Sequence, residues 1–235
     1  MIATPYAIGL DLGQAQDFSA LAVVEHVHRM PPGWPPFRYF ATDRDGMPIP
    51  YPRPGVPPMI RELRVVHLQR WALGTPYHEV VADVCTLARS HELNGSRLYF
   101  DRSGVGRPVG DLLWQAFERG ELGDTMPEGR TITGAEKSSR AGTAKKDLIA
   151  ALEIPIQQGH FKIPAGLPLA DVLERELTSF KLKLATKTGR EKFDVERRPG
   201  EGHGDLVIAV ALGAVHPEYG ISPRLEAAET NPTTK

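Results

Sequence analysis

Apolar residues gather into runs of two kinds along this chain. Tyr6-Ala7-Ile8-Gly9-Leu10 and Phe18 to His28 are dense enough to read as buried strands, and the short polar link 13 to 17 between them predicts a β-hairpin. Arg61 to Trp71 returns to a strand-like pattern. Thr75-Pro76 then predicts an N-cap followed by proline at the first helical position, opening a helix that runs to about His91 and is closed by Asn94-Gly95. A short strand over 97–101 leads into Ser103-Gly104-Val105-Gly106 and a helix with apolar positions Val109, Leu112, Leu113, Ala116 and Phe117. Strand, helix, strand, helix predicts a parallel central portion of the sheet.

The second half is more helical. Arg130 to Gly134 reads as one short strand, and Gly142 to Gly159 as a helix carrying Leu148, Ile149, Leu152 and Ile156, kinked or ended by Pro155. Phe161-Lys162-Ile163-Pro164 is extended. Leu169, Val172, Leu173, Leu177 and Phe180 space like one helical face, whereas Lys181 to Val195 alternates and predicts a hairpin turning near Thr188-Gly189. Leu206 to Val215 is apolar all round, the pattern of a buried helix. Residues 31 to 58 hold ten of the 21 prolines, which excludes helix and central strand and predicts an irregular surface insertion. From Pro217 onward the composition predicts a disordered tail. The expectation is one α/β domain over 1–216, with a proline-rich insertion at 31–60 and a tail at 217–235.

Composition narrows the class without choosing a function. With 235 residues, 41% of them hydrophobic, the chain can bury one sizeable core. No apolar run reaches the ~20 residues of a membrane span, and Met1-Ile2-Ala3-Thr4-Pro5 has no signal-peptide character, so a soluble cytoplasmic protein without a membrane partner is expected. Cys85, the single cysteine, excludes an internal disulfide or a thiolate metal cluster, and its apolar neighbours Val80, Val81, Val84 and Ala88 assign it to the core. The net charge of −1 advertises no polyanion partner. Residues 181–198, however, carry seven basic side chains, Lys181, Lys183, Lys187, Arg190, Lys192, Arg197 and Arg198, against three acids. Such a segment could hold phosphates; a solvated lysine-rich hairpin is the alternative.

The candidate chemistry lies in three carboxylates. Asp11 closes the first apolar run, Asp101 closes the strand before the glycine-rich loop, and Asp205 opens the late apolar helix. Strand-end acids and a helix-start acid can be aimed at one point at the edge of a sheet, and hard cations such as Mg²⁺ and Mn²⁺ take oxygen ligands of this kind. A chain with 29 acids also places some beside hydrophobic runs by coincidence. His26 and His28, two apart on a strand, lack an obvious third ligand and read as structural. Trp34, Phe37, Tyr39 and Phe40 beside the prolines read as loop anchors rather than base-stacking groups.

In order, these segments resemble the nuclease domain of phage terminase large subunits, within the RNase H-like nucleases. The residues that carry the resemblance are Gly9-Leu10-Asp11-Leu12-Gly13 with Asp17-Phe18-Ser19-Ala20, then Phe100-Asp101-Arg102-Ser103-Gly104-Val105-Gly106. Lys146-Asp147-Leu148-Ile149 with Gly159 to Pro164, Leu173 to Phe180, and His203-Gly204-Asp205-Leu206-Val207 through Ala211 continue it, covering about 6 to 215. The resemblance implies an RNase H-like fold, a mixed central β-sheet flanked by helices. It implies a metal-dependent endonuclease that cuts double-stranded DNA in viral DNA packaging, with two Mg²⁺ or Mn²⁺ ions held by Asp11, Asp101 and Asp205. It adds Asp17, which could equally cap a turn, and His203, as a ligand, an outer-sphere group or a helix cap. DNA would lie against Lys181, Lys183, Lys187, Arg190 and Lys192. Implied partners are a separate terminase ATPase or small subunit and the portal, in the host cytoplasm if the chain is phage- or prophage-encoded.

Two departures from the family pattern stand out. Gly204 and Ile208 occupy positions where the family usually has carboxylates, so that either Glu201 substitutes as a ligand or the second metal site fills weakly until DNA supplies a phosphate oxygen, and no Gly-x-x-x-x-Gly-Lys-Ser/Thr phosphate loop occurs, so this chain is not expected to be the motor by itself. The rival readings are a catalytically degenerate RNase H-like module that binds DNA or a partner, a fragment of an actin-like or sugar-kinase ATPase, and a Holliday-junction resolvase on the same fold.

Overall fold

The computed structural model describes residues 4–14, 17–29, 60–133, 143–186, 204–215 and 224–226. Three strands, β1 (Tyr6–Asp11), β2 (Ala20–Arg29) and β3 (Ile60–Arg70), form an antiparallel meander in which Asp11 pairs with Ala20 and Ala20 in turn with Arg70. Helix α1 (Tyr77–Ala88) crosses to β4 (Arg97–Asp101), which lies parallel to β1. Helix α2 (Gly106–Glu118) crosses again to β5 (Met126–Arg130), parallel to β4. A small parallel pair, β6 (Ile132–Thr133) and β7 (Thr143–Ala144), leads to α3 (Lys145–Gln157), and β8 (Phe161–Lys162) then extends the sheet beside β3. Helices α4 (Ala170–Thr186) and α5 (Asp205–Ala214) follow, and β9 (Arg224–Glu226) pairs in parallel with the end of β2. The order β5-β4-β1-β2-β3-β8, with β1, β2 and β3 mutually antiparallel and β4, β5 and β8 each parallel to the strand beside it, is the RNase H-like mixed sheet expected from the sequence.

Period-two alternation assigns the faces. Ile8, Leu10, Leu21, Val23, Leu98 and Phe100 pack under α1 and α2, while Ala7, Ala20, Ala22, Val24 and Tyr99 pack with α3, α4 and α5 on the other side. Asp11 shares the parity of Ala7, and Asp101 that of Tyr99, so both strand-end acids belong to the α5 face.

Helix α5 is buried on nearly every side, as an all-apolar helix requires. It rests directly on β1. A Cβ at Gly9 would stand 1.9 Å from the Ala209 carbonyl oxygen, so only glycine lets strand and helix backbones approach this closely. The C-terminal end of α5 is held by charge and hydrogen bonds. His26 donates from Nε2 to the Gly213 carbonyl at 2.8 Å, and Arg61 donates to the Ala214 carbonyl. Burial lowers the Arg61 pKa to about 10. Beside them Glu62 meets Arg64 at 2.6 Å and Arg29 at 3.2 Å, an ion-pair lattice at the sheet end remote from Asp11.

Several local expectations are corrected. Thr75 does not cap α1: its hydroxyl donates to the Ala72 carbonyl, and Pro76 takes the N-cap position. The single strand expected over 130–134 is divided, because Arg130 ends β5 in the main sheet whereas Ile132–Thr133 pairs with β7. Residues 181–186 are helical rather than one arm of a hairpin: Lys, Leu and Ala are strong helix formers, and no breaker separates them from the preceding turns of α4. The expected turn at Thr188-Gly189 lies outside the described residues, as does the insertion expected over 31–60 except for Ile60, which opens β3. Within the segment expected to be an unstructured tail, Arg224–Glu226 takes the edge of β2 beyond the end of β1. Cys85 is buried in the core as expected.

Candidate active site

Asp11 and Asp101 stand at the C-terminal ends of adjacent parallel strands, each one residue past the paired Leu10 and Phe100. Neighbouring strands lie about 4.8 Å apart, so the two backbones bring these acids side by side. Asp101 is steadied by its own loop: its Oδ1 accepts from the Ser103 amide at 2.9 Å, and at 3.5 Å from the amide of Ile132. Asp205 begins α5 and is 4% exposed. It follows Gly204, whose φ of 87° lies in the left-handed region where glycine is at ease. Gly204 therefore sits where the backbone itself favours glycine.

Asp11 lies within electrostatic reach of the other acids. Asp11 is held well above the usual carboxylate range, first by burial and then by repulsion from Asp205, Asp101, Asp17 and Glu176, in that order. Asp17 lies in the β1–β2 loop, where its amide donates to the Gln14 carbonyl at 2.6 Å. The loop is fixed at its root: the Gly13 amide donates to Ser19 Oγ at 3.2 Å, and Tyr77 Oη donates to the Gly13 carbonyl at 2.8 Å.

Glu176 is the site residue that sequence reasoning missed. It projects from α4, is 8% exposed, and its Oε2 accepts from the amides of Leu206 at 3.1 Å and Val207 at 3.3 Å. Its Oε1 stands 3.6 Å from Arg70 Nη1, and the Arg70 guanidinium lies 4.3 Å over the Phe18 ring. Burial pushes Glu176 up to about 7, with Asp205 adding to the rise and the two amides and Arg70 opposing it. A signal was present: position 176 falls between Leu173 and Leu177 on the apolar stripe of α4, where a solvent-facing glutamate does not belong.

Mutual repulsion of this kind suits a divalent ion, which would reverse the cost of ionising Asp11. Among the described residues no three His, Cys, Asp or Glu side chains are gathered at ligand distance. Of the other expected site residues, His203, Lys187, Arg190, Lys192 and Glu201 lie outside the described residues, and Lys181 and Lys183 fall on the backbone of α4. His26 is engaged with α5, in keeping with a structural role. No described helix is long and apolar enough to cross a membrane.

The described strands and helices form an α/β domain with a mixed central sheet flanked by helices. Among solved structures, the chain is similar to the large terminase nuclease from thermophilic phage G20c, at 21% identity and a TM-score of 0.46, over 88% of this chain and 80% of that one. It is also similar to the human cytomegalovirus terminase nuclease domain, soaked with Mn, at 11% identity and a TM-score of 0.41, over 89% and 82% of the respective chains. No protein-family model and no curated protein matches the chain.

Proposed function

We propose that this protein is a metal-dependent endonuclease of the terminase type, cutting double-stranded DNA at the carboxylate end of its sheet. The observation that supports the reading is the repulsion Asp11 receives from four other acids, carried by a strand end, a loop and two helices. Asp11, Asp101 and Asp205 would hold Mg²⁺ or Mn²⁺, with Asp17 and His203 at the margin. When bound, two such ions lower the pKa of an attacking water and stabilise the leaving 3′ oxygen.

The chain's own contribution is placement. Gly9 sets α5 against β1, so Asp205 is brought over the strand that carries Asp11. The Asp101 loop fixes a third carboxylate through main-chain amides, and burial strengthens every charge interaction at the site. DNA would be held by Lys181, Lys183, Lys187, Arg190 and Lys192, and a separate terminase ATPase or small subunit and the portal would supply packaging.

The test is cleavage of supercoiled plasmid by the purified chain with Mn²⁺, Mg²⁺ or EDTA. Nicking that requires the metal and vanishes in Asp11→Asn and Asp101→Asn supports the reading. One second reading is favoured by the lack, among the described residues, of three acids gathered as a metal-holding group: a catalytically degenerate module that binds DNA or a partner. That module would bind duplex DNA and leave it uncut with either metal.

A further inference from the structure

The first amides of an α-helix have no partner within the helix, and a side chain at the N-cap commonly satisfies them. In α5 the N-cap is Gly204, which has no side chain to offer. Another helix provides the acceptor instead. Glu176 Oε2 takes both the Leu206 and the Val207 amide, and its Oε1 faces Arg70 at 3.6 Å. Arg70 lies on β3 in the row Asp11–Ala20–Arg70 that crosses the sheet, and its guanidinium is stacked on Phe18.

We propose that Glu176 is the positioning residue for Asp205: it caps α5 from α4 and, through Arg70, ties the start of that helix to the strand row of Asp11. The proposal rests on the reading of Asp205 as a metal-holding carboxylate. A charged acceptor is the right group for the task, since a carboxylate at a helix N-terminus meets both the amides and the positive end of the helix dipole. One oxygen accepts from both amides, and the other faces Arg70 Nη1 at 3.6 Å as an ion pair without a hydrogen bond. Glu176 thus differs from Asp11, Asp101 and Asp205, whose role is to hold the ion.

The full-length chain as Glu176→Ala and Glu176→Gln tests this by three readouts: hydrogen exchange at the Leu206 and Val207 amides, calorimetric binding of Mn²⁺ alone, and plasmid nicking. Glutamine keeps an acceptor oxygen, and alanine does not. The expected result is exchange accelerated by about tenfold and Mn²⁺ affinity weakened by a similar factor in Glu176→Ala, the worth of one helix cap, with both restored to within about threefold in Glu176→Gln. Nicking should follow the Mn²⁺ affinity. Unchanged exchange and affinity in Glu176→Ala would overturn the proposal. So would a Glu176→Gln protein that loses Mn²⁺ binding as fully as Asp11→Asn, because Glu176 would then be a ligand. Should Glu176→Ala not fold, Arg70→Gln serves in its place, with faster exchange at the same two amides expected and unchanged exchange counting against the tie. A wild-type chain that neither binds Mn²⁺ nor nicks DNA defeats the nuclease reading, while the exchange data still decide whether Glu176 caps α5.

Discussion

Asp11 and Asp101 occupy equivalent positions on neighbouring parallel strands, one step beyond the Leu10–Phe100 pair, and both belong to the sheet face covered by α5. The parallel pairing of β1 with β4 creates this equivalence. In an antiparallel pair, the two C-terminal ends would point in opposite directions.

Removing one charge from this group should separate activity from stability. Asp11→Asn is expected to abolish metal-dependent nicking and, without metal, to raise the melting temperature by about 2–6 °C, because a buried acid repelled by four others becomes neutral. Plasmid nicking and thermal melts in EDTA check both halves. Activity that survives in Asp11→Asn or Asp101→Asn would refute the assignment of these residues.

Gly9→Ala should be far more damaging than an ordinary glycine substitution in a strand. The new methyl would collide with the Ala209 carbonyl oxygen, and neither backbone can yield without moving α5. A loss of about 3 kcal/mol or more is expected in urea unfolding. A loss under about 1 kcal/mol would show that α5 can lift from β1.

The pH dependence of stability has a definite sign. The carboxyl of Glu176 ordinarily titrates near 4.5 and is pushed up to about 7 in the fold, and Asp11 is raised as well. The folded protein therefore binds the extra protons. Their contribution is fully present below the unfolded values and is lost as pH rises through about 7. Metal-free protein should become less stable between about pH 5 and pH 8, and saturating Mn²⁺ should reverse the trend by favouring the ionised acids. Thermal melts across this range check the slope, and Glu176→Gln should flatten it.

Replacing Lys181, Lys183 and Lys187 with alanine is expected to weaken binding to all duplex sequences alike. It should also flatten the salt dependence by up to about one log unit for each phosphate that is no longer neutralised. Fluorescence anisotropy on two unrelated duplexes at several salt concentrations measures this. An unchanged slope would place the DNA elsewhere.

Much of this architecture was legible because local patterns and tertiary structure agree. Asp11 and Asp101 could be found as acids that end apolar runs, and those runs are the central strands. Glu176 could not be assigned a partner in the same way. Its role depends on hydrogen bonds to amides some thirty residues later, and the helical stripe shows only that a charge is buried, not what it meets. The mistaken hairpin at 181–186 has a local origin: Lys-Leu-Lys-Leu alternates like a strand, yet each residue also prolongs a helix already under way. The pairing of β9 with β2 was invisible for another reason. Three residues have little pattern of their own, and their place follows from β2 outrunning β1.

Helix α5 is fastened at both tips, by Glu176 at its start and by His26 and Arg61 at its finish, with Gly9 clamped beneath its middle. Ten residues of helix span about 15 Å, so it works as a strut whose two ends cannot be adjusted independently. Arg61 holds the same helix as Asp205, although it stands at the opposite tip. A map of this protein's sensitive positions drawn by distance from the acids would leave it out, whereas one drawn along the strut would count it among them.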